Sequence, residues 1–328
     1  MQWHGHTFPA VDTHADSLGA VLAGERSLAA VDVPPRGQAD IPRLQAVGVT
    51  LQFFSCWVES RYKPEQALPR LLQYIDAFYS AVAADTRVVP VTGEESLARV
   101  ESSEDPRVGA ALSVEGAEAL GAEPAILRVL WRLGVRLLSL TWNQRNALAD
   151  GAGEDPGGGG LSRAGRAMVQ EMNRLHMVVD VSHLAAQGFW DVMDVSAAAP
   201  IASHSNCRAL AAHPRNLSDA QIRALAGRGG VQGITFVPSF LGGRKDRERV
   251  ADHVLHHLAV VGDDRHLGIG SDFDGVPEPV AGLEDVAQWP SLLDALSHRG
   301  LSDETILRIA GGNFLALFRE QWAGAPGG

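Results

Sequence analysis

The chain has 328 residues, 45% of them hydrophobic and 20% charged, and a formal net charge of −11. This composition predicts a soluble globular protein with a large core, and the acidic balance argues against nucleic acid or an anionic membrane as partner. No apolar run is long enough to span a membrane, and no secretory signal is expected. Because only Cys56 and Cys207 occur, no disulfide framework is indicated and a reducing, cytoplasmic location is expected.

Segments of strand character alternate along the chain with segments of helical periodicity. A first strand is predicted to start at 8–11, and further strands are predicted at 49–54, 108–114, 135–141, 177–182, 200–203, 230–236 and 266–271. Helices are predicted at 41–47, 64–84, 94–100, 124–133, 161–175, 184–196, 218–226 and 250–261, with a helical remainder at 292–322. Ser162 and Ser218 are the predicted caps of two of these helices, the second with Gln221 in the capping-box position.

This alternation predicts the fold class. Strands that alternate with helices and are buried on both faces favour a parallel sheet. Eight such strands in a chain of this length predict an α/β protein of the (β/α)8 TIM barrel type, as in metal-dependent hydrolases. Because no repeat or linker divides the sequence, we expect a single catalytic domain over 1–328, with a helical C-terminal extension from about residue 292.

Most of the predicted strands are followed by a residue type that can bind a metal. In a (β/α)8 barrel the carboxyl ends of all strands converge on one face, which is where such enzymes carry out chemistry. A doubly wound open sheet would not readily bring the ends of five different strands to one point. A single histidine at a strand end is usually a structural residue, but six matching positions favour a site: His14, Asp16, Glu115, His183, His204 and Asp272.

Three histidines and three acids suit Zn²⁺ and similar borderline metals. Six ligands are more than one tetrahedral zinc with an open position needs, whereas two metals that share one carboxylate would use them all. Glu115, on the third strand, is the natural bridging ligand; His14 and Asp16 would bind one metal, and His183 and His204 the other. Two ions ~3.5–4 Å apart can lower the pKa of a bridging water and polarise a carbonyl, and the remaining acid would lie beside that water.

Several longer motifs surround these positions. They are Asp12-Thr13-His14-Ala15-Asp16, Ser113-Val114-Glu115-Gly116, Asp180-Val181-Ser182-His183, Ser203-His204-Ser205, Pro214-Arg215-Asn216, Gly270-Ser271-Asp272-Phe273-Asp274-Gly275-Val276 and Gly311-Gly312-Asn313-Phe314. Over nearly its whole length the chain thereby resembles the renal or membrane dipeptidase family (peptidase family M19), metallopeptidases on an amidohydrolase-like barrel.

The resemblance implies the same five metal ligands, with Glu115 bridging. It also implies that Asp272 is the catalytic carboxylate and that Arg215 binds the terminal carboxylate of the substrate. The expected function is zinc-dependent hydrolysis of dipeptides, including those with a D-residue at the C-terminal position, by a metal-bridging hydroxide and two Zn²⁺ per chain. Asp272 would pass a proton to the leaving amine. The expected partner is a small dipeptide, and a homodimer is left open.

Two positions depart from the family pattern. Trp142 stands where better-known members have a histidine that helps to bind substrate, and Phe240 stands where they have a substrate-facing tyrosine. An indole donates one hydrogen bond and accepts none. Both changes predict a more apolar substrate pocket, with Trp142 as a wall, and leave the metal ligands intact.

Several alternatives remain open from the sequence. The chain could hydrolyse another small amide, such as an N-acyl amino acid or a lactam, or it could be a metal-containing binding protein with little turnover. Asp274 could replace Asp272 as the base or could order its loop, and Arg215 could be a surface ion-pair residue. Five other histidines carry no predicted role: His4 and His6 are expected to be disordered, and His253, His256 and His257 to face solvent.

Overall fold

The structure is a computed structural model that describes residues 1–31, 37–102 and 105–325. Within these residues the chain forms ten strands, and all but the first two join one sheet. The strands are β1 (Gln2–Trp3), β2 (His6–Thr7), β3 (Val11–Ala15), β4 (Leu51–Trp57), β5 (Val88–Pro90), β6 (Val108–Glu115), β7 (Val135–Ser139), β8 (Val178–Asp180), β9 (Gln232–Ile234) and β10 (Leu267–Ile269).

Helices separate most of these strands and cover the outside of the sheet. They are α1 (Leu18–Leu22), α2 (Ile41–Val47), α3 (Ala67–Ala83), α4 (Glu94–Glu101), α5 (Pro124–Arg132), α6 (Arg163–Arg174), α7 (Ala186–Val195), α8 (Asp219–Gly227), α9 (Pro238–Leu241), α10 (Arg247–Val261), α11 (Trp289–His298), α12 (Asp303–Leu307) and α13 (Asn313–Trp322). The predicted caps are confirmed: Ser162 accepts from the amide of Gly165, and Ser218 forms a capping box with Gln221. Among the described residues, no helix is both long and apolar enough to cross a membrane.

The sheet is parallel and curls into a barrel in the order β8-β7-β6-β4-β3-β10-β9, with β5 paired to the amino-terminal part of β6. The predicted sixth strand, 200–203, closes the barrel through two single-residue bridges, Ile201 to β8 and Ala202 to β9. On the β8 side the ladder stops there because side chains take over the hydrogen bonds: Asp180 accepts from the amide of Ser203, and Ser182 from the amide of His204. On the β9 side the amide of Ser205 still donates to the carbonyl of Gly233. The predicted (β/α)8 architecture is confirmed.

The barrel interior has an apolar layer at the amino ends of the strands and a polar layer at their carboxyl ends. Residues two apart on a strand face the same side, so Leu51 and Phe53 share the inner face of β4 with Ser55 and Trp57. The apolar layer packs against α13, which closes the amino end of the barrel. Its members include Val11, Leu51, Phe53, Ala111, Leu137, Val178, Ile201, Phe314, Phe318 and Trp322.

The first strand lies later in the chain than the predicted range 8–11. It runs through Asp12 and Thr13, which are polar but fully buried. The Thr13 hydroxyl donates to the carbonyl of Ser203, 2.7 Å away across the barrel. Polar residues that bond across a polar barrel layer give no hydrophobic signal, so the apolar pattern indicated only the start of this strand.

Two predictions about histidines outside the site are wrong. His4 and His6 belong to a β1–β2 hairpin, with His6 Nε2 3.1 Å from Asp303, so they are ordered. His253 and His257 are buried on the inner side of α10 rather than exposed to solvent. His253 Nε2 lies 2.9 Å from the carbonyl of Leu241, which shows that it serves as a structural hydrogen-bonding group.

Candidate metal centre

The six predicted ligands lie together at the carboxyl end of the barrel. His14 is on β3 and Glu115 ends β6, whereas Asp16, His183, His204 and Asp272 occupy the loops that follow β3, β8, the bridging segment 200–203 and β10. His183 and Asp272 adopt left-handed backbone conformations, with φ of 69° and 64°. Non-glycine residues with positive φ are uncommon and cluster at functional sites, which favours this end of the barrel as the site.

One half of the centre is built around His14. Its Nε2 lies 3.6 Å from Asp16 Oδ1, 3.7 Å from Glu115 Oε2 and 3.9 Å from Asp272 Oδ1. His14 Nε2 and Asp16 Oδ1 are both buried without a hydrogen-bond partner among the described residues. Burial alone would lower the pKa of His14, but the charges of Glu115 and Asp16 outweigh it and raise this pKa to about 10. This half of the centre therefore strongly attracts a positive charge.

The other half is built around His183 and His204. Their Nε2 atoms are 2.9 Å apart, and Glu115 Oε1 lies 2.6 Å from the first and 3.6 Å from the second. Burial lowers the pKa of both imidazoles well below its usual value, with Arg215 and His14 acting in the same direction. Both rings are therefore neutral, and each carries a single proton.

Hydrogen bonds at the far side of each ring indicate where that proton sits. His183 Nδ1 lies 2.9 Å from Asn143 Oδ1, an acceptor, so the proton is on Nδ1. His204 Nδ1 lies 2.7 Å from Ser203 Oγ, whose own proton goes to Asp180 Oδ2 at 2.6 Å, so this Nδ1 also donates. Both Nε2 lone pairs then face each other and Glu115 with no proton between them. Lone pairs arranged in this way can bind a cation, and they would repel one another without it.

Two buried aspartates that the sequence reasoning did not single out hold the ligand loops. Asp12 accepts from the amide and hydroxyl of Ser271, at 2.9 and 2.6 Å, next to Asp272. Asp180 accepts in the same way from the amide and hydroxyl of Ser203, next to His204. Each carboxylate thus joins the loops that follow two neighbouring strands. The common spacing, an acid two or three residues before a ligand histidine, could have signalled this role.

The structure separates the two candidate bases on the last loop. Asp272 Oδ1 points toward His14, and burial raises its pKa to about 7. The carboxylate of Asp274 instead accepts hydrogen bonds from the Ser17 hydroxyl, from the Arg26 guanidinium at 2.9 Å and from main-chain amides of residues 38 and 39. Asp274 is therefore occupied with ordering the loop, and Asp272 is the carboxyl that faces His14.

Arg215 is buried beside the His183–His204 half of the centre. Its Nη2 donates to the carbonyl of His204 at 3.1 Å, its guanidinium lies 5.5 Å from the centre of the Phe240 ring, and its Nε has no partner among the described residues. Burial lowers the pKa of Arg215 to about 10. No carboxylate forms an ion pair with it in the described part of the chain, so a substrate carboxylate could supply the missing partner.

Trp142 lies at the other side of the centre. Its ring stacks on His183, with centroids 6.1 Å apart, and also contacts the ring of Trp57 at 5.3 Å. Lys63 Nζ lies 5.4 Å from the centre of the Trp142 ring and pairs with Glu118 at 3.0 Å. Trp142 and Trp57 line a cavity of about 820 Å³ that Glu115 and Asp16 also border. The position of Trp142 is thus that of a pocket wall.

Comparison with known proteins agrees with this site. The family model for membrane dipeptidases (peptidase family M19) matches residues 5–325, which is nearly the whole chain. The chain belongs to the membrane dipeptidase family. The predicted family is confirmed. The predicted enzyme class, a metallopeptidase that acts on dipeptides, is confirmed with it.

Fungal proteins are among the relatives of this chain. Dipeptidase tcpJ of Claviceps purpurea is 42% identical over 213 residues, which cover 64% of this chain and 50% of that protein. An uncharacterized dipeptidase of Schizosaccharomyces pombe is 33% identical over 299 residues, which cover 86% of this chain and 73% of that protein. The chain thus spans half the length of the Claviceps relative.

Solved structures of the membrane dipeptidase family share the fold. The structure of dipeptidase AC, a metallopeptidase, has a TM-score of 0.89 at 30% identity and covers 97% of this chain and 100% of its own. A metallopeptidase from Rhodobacter sphaeroides, liganded with a phosphinate mimic of the dipeptide L-Ala-D-Ala, has a TM-score of 0.88 at 29% identity with the same coverage. Membership of a metallopeptidase family implies a metal cofactor, and the residues described above fit one.

Proposed function

We propose that this chain is a dipeptidase that hydrolyses the peptide bond of dipeptides with two zinc ions per chain. His14 and Asp16 would hold one ion, His183 and His204 the other, and Glu115 would bridge them. The observation that carries the proposal is the position of Glu115: one of its oxygens lies 3.7 Å from His14 Nε2 and the other 2.6 Å from His183 Nε2. Imidazole and carboxylate ligands suit zinc.

Two divalent ions at this position would lower the pKa of the attacking water and polarise the scissile carbonyl. The protein side chains would do the remaining work. Asp272 takes the proton of the water and returns it to the leaving amine nitrogen. Burial raises its pKa to about 7 and bound cations would lower it, so near neutral pH the carboxylate would be ionised and able to accept that proton. Arg215 binds the C-terminal carboxylate and so fixes the register of the peptide bond.

We further propose that the C-terminal residue of the substrate can have the D configuration. The Rhodobacter neighbour is liganded with a mimic of L-Ala-D-Ala, and this chain shares its fold over nearly the whole length. The cytoplasmic location predicted from the cysteines stays a prediction; both thiols are buried and unpaired.

A panel of dipeptides tests the function directly. Zinc-saturated protein is incubated with dipeptides that carry L- or D-residues at the second position, with N-acyl amino acids and with a lactam, and released amine is measured. Release from dipeptides supports the proposal. Turnover confined to the other amides would make the chain an amidohydrolase of different specificity, and binding of dipeptides without turnover would make it a binding protein.

Replacing Arg215 by alanine should weaken substrate binding while leaving the metal content unchanged. Loss of a charge-assisted hydrogen-bonded pair costs roughly 1.5–3 kcal/mol, so KM should rise about 10- to 150-fold. A C-terminally amidated dipeptide serves as the control, since it lacks the carboxylate and should be hydrolysed about equally by both proteins. If the substitution impairs the amidated and free-acid substrates to the same extent, Arg215 does not bind the carboxylate.

A further inference from the structure

Two buried histidines lie on α10 and take no part in the metal centre. His253 and His257 are one turn apart, and burial lowers their pKa to about 4 and about 3, so both rings are neutral near neutral pH. A neutral imidazole has one N–H donor and one lone pair, and buried polar groups need partners. Both rings are connected, directly or through one other side chain, to the loop that follows His204.

His257 is connected to this loop through Gln232 of β9. The Nδ1 of His257 lies 2.8 Å from Gln232 Oε1, which is an acceptor, so the proton of the ring is on Nδ1. The Nε2 of Gln232 donates to the carbonyls of Ser205 and Asn206, at 2.9 and 3.2 Å. The amide of Gln232 is thus held in one orientation, with its oxygen toward α10 and its nitrogen toward the loop.

His253 connects the same loop to α10 at a second point. Its Nε2 lies 2.9 Å from the carbonyl of Leu241, so the proton is on Nε2, and its Nδ1 accepts from the amide of Cys207 at 3.1 Å. Residues 205–207 are therefore held from the side of α10 along their whole length.

The guanidinium of Arg215 lies against this loop. Its Nη2 donates to the carbonyl of His204 at 3.1 Å, and its Nη1 donates to Ser205 Oγ at 3.4 Å. Both contacts are long for hydrogen bonds of this kind, so the position of the guanidinium depends on where the loop lies. A charge-assisted pair with a carboxylate has a specific geometry, and a misplacement of about 1 Å can cost about 100-fold in rate.

The metal ligand His204 is held separately, from the side of β8. Its amide donates to the Ser182 hydroxyl at 3.1 Å, and its Nδ1 lies 2.7 Å from Ser203 Oγ. A shift of residues 205–207 should therefore change the position of Arg215 more than that of the metal ligands.

We propose, on the basis of the proposed dipeptidase function, that Gln232 and His257 are positioning residues for the binding of the substrate carboxylate. They hold Ser205 and Asn206 from the side of α10, and the loop in turn places the Arg215 guanidinium against the C-terminal carboxylate of the dipeptide. Both residues act through Arg215. A helix on the outside of the barrel thereby sets the preference for a free C-terminal carboxylate.

Gln232→Met tests this role, because methionine keeps the length of the side chain and removes the amide. The readout is the ratio of kcat/KM for Ala-Ala to kcat/KM for its C-terminal amide, measured on zinc-loaded protein. Wild type should favour Ala-Ala, and Gln232→Met should lower the ratio about tenfold, chiefly through a higher KM for the free acid. His257→Leu should act in the same direction, and His257→Asn, whose amide can still donate to Gln232, should restore most of the ratio.

Two comparisons separate positioning from a general loss of stability. In the Arg215→Ala background, Gln232→Met should leave the ratio unchanged, since the group that it positions is absent. His266→Leu removes a partly buried histidine whose Nδ1 lies 2.9 Å from the Gly230 carbonyl, away from this loop, so it should lower the melting temperature and preserve the ratio. If Gln232→Met slows both substrates equally, or lowers the ratio as much without Arg215 as with it, the positioning role is overturned.

Calorimetric titration provides a readout that does not need turnover. In zinc-loaded Asp272→Asn protein, Ala-Ala should bind more tightly than its amide, and the added Gln232→Met change should reduce this preference about tenfold. If wild type hydrolyses dipeptides and Gln232→Met changes neither ratio, the positioning role is overturned while the dipeptidase function stands. If no dipeptide is hydrolysed, the proposed function fails, and the Kd values still decide whether Gln232 positions Arg215; equal Kd values before the change would overturn that role as well.

Discussion

Replacing Asp272 by asparagine should lower kcat on dipeptides by a factor of about 10²–10⁴ while both metal ions stay bound. The substitution keeps the size of the side chain and an oxygen that can face His14. It removes the group that accepts a proton, so the loss falls on the chemical step rather than on substrate binding. Steady-state kinetics together with elemental analysis of the same samples check this expectation.

Asp274→Asn is the matched comparison, because both residues lie on the loop after β10 and both have positive φ. Asp274 bonds Ser17, Arg26 and the main chain around residue 38, so its replacement should lower the melting temperature and change kcat only a few-fold. Near wild-type turnover of Asp272→Asn at full metal occupancy, with a large loss in Asp274→Asn, would reverse the roles proposed for the two carboxylates.

Replacing Glu115 by alanine should abolish activity and reduce the metal content from two ions per chain to one or none. Glu115 is the described carboxylate that lies within 4 Å of both His14 and His183, so its loss removes a ligand from each half of the centre. The variant should also lose most of the rise in melting temperature that zinc gives to metal-free wild type, since ligands that bind only the native state stabilise it. Elemental analysis after zinc saturation and desalting, with thermal denaturation, measures both effects.

Glu118→Gln is the control variant, because it removes the charge of a nearby buried acid that is not a predicted ligand. Glu118 lies three residues after Glu115 but pairs with Lys63, whose ammonium lies over the Trp142 ring. It should retain two ions per chain even if its stability falls. A wild-type content of one ion that does not change in Glu115→Ala would contradict the bridged pair of metals.

The positions of the ligands could be predicted because the rule behind them is topological. Parallel strands of a closed barrel present their carboxyl ends on one face, so Glu115, His183, His204 and Asp272 had to come together once the eight strands were recognised. The pattern of apolar residues was sufficient for that step. For β3 it indicated only the start of the strand, because Asp12 and Thr13 are buried through hydrogen bonds rather than through hydrophobicity.

The residues that orient the ligands were harder to predict. Asn143 fixes the proton of His183 from a loop 40 positions earlier in the chain, and Trp57 meets Trp142 across the barrel mouth. Neither contact produces a periodic pattern in the sequence. The burial of His253 and His257 was not predicted either. Because α10 has polar residues around much of its circumference, the sequence pattern did not identify its buried face.

The uneven strand pairing of the barrel has a consequence for its behaviour in the cell. β4 and β6 share seven registered pairs, whereas β3 pairs with β10 at one position and with Phe273 in the following loop at another, and Ile201 and Ala202 each contribute a single bridge. These weakly paired seams are where local opening should occur most readily. His14 and Asp272 flank one seam and His183 and His204 the other, so ions bound among them would fasten both. We therefore expect a chain that has lost its metals to become a better protease substrate, so that metal starvation lowers the abundance of the protein as well as its activity.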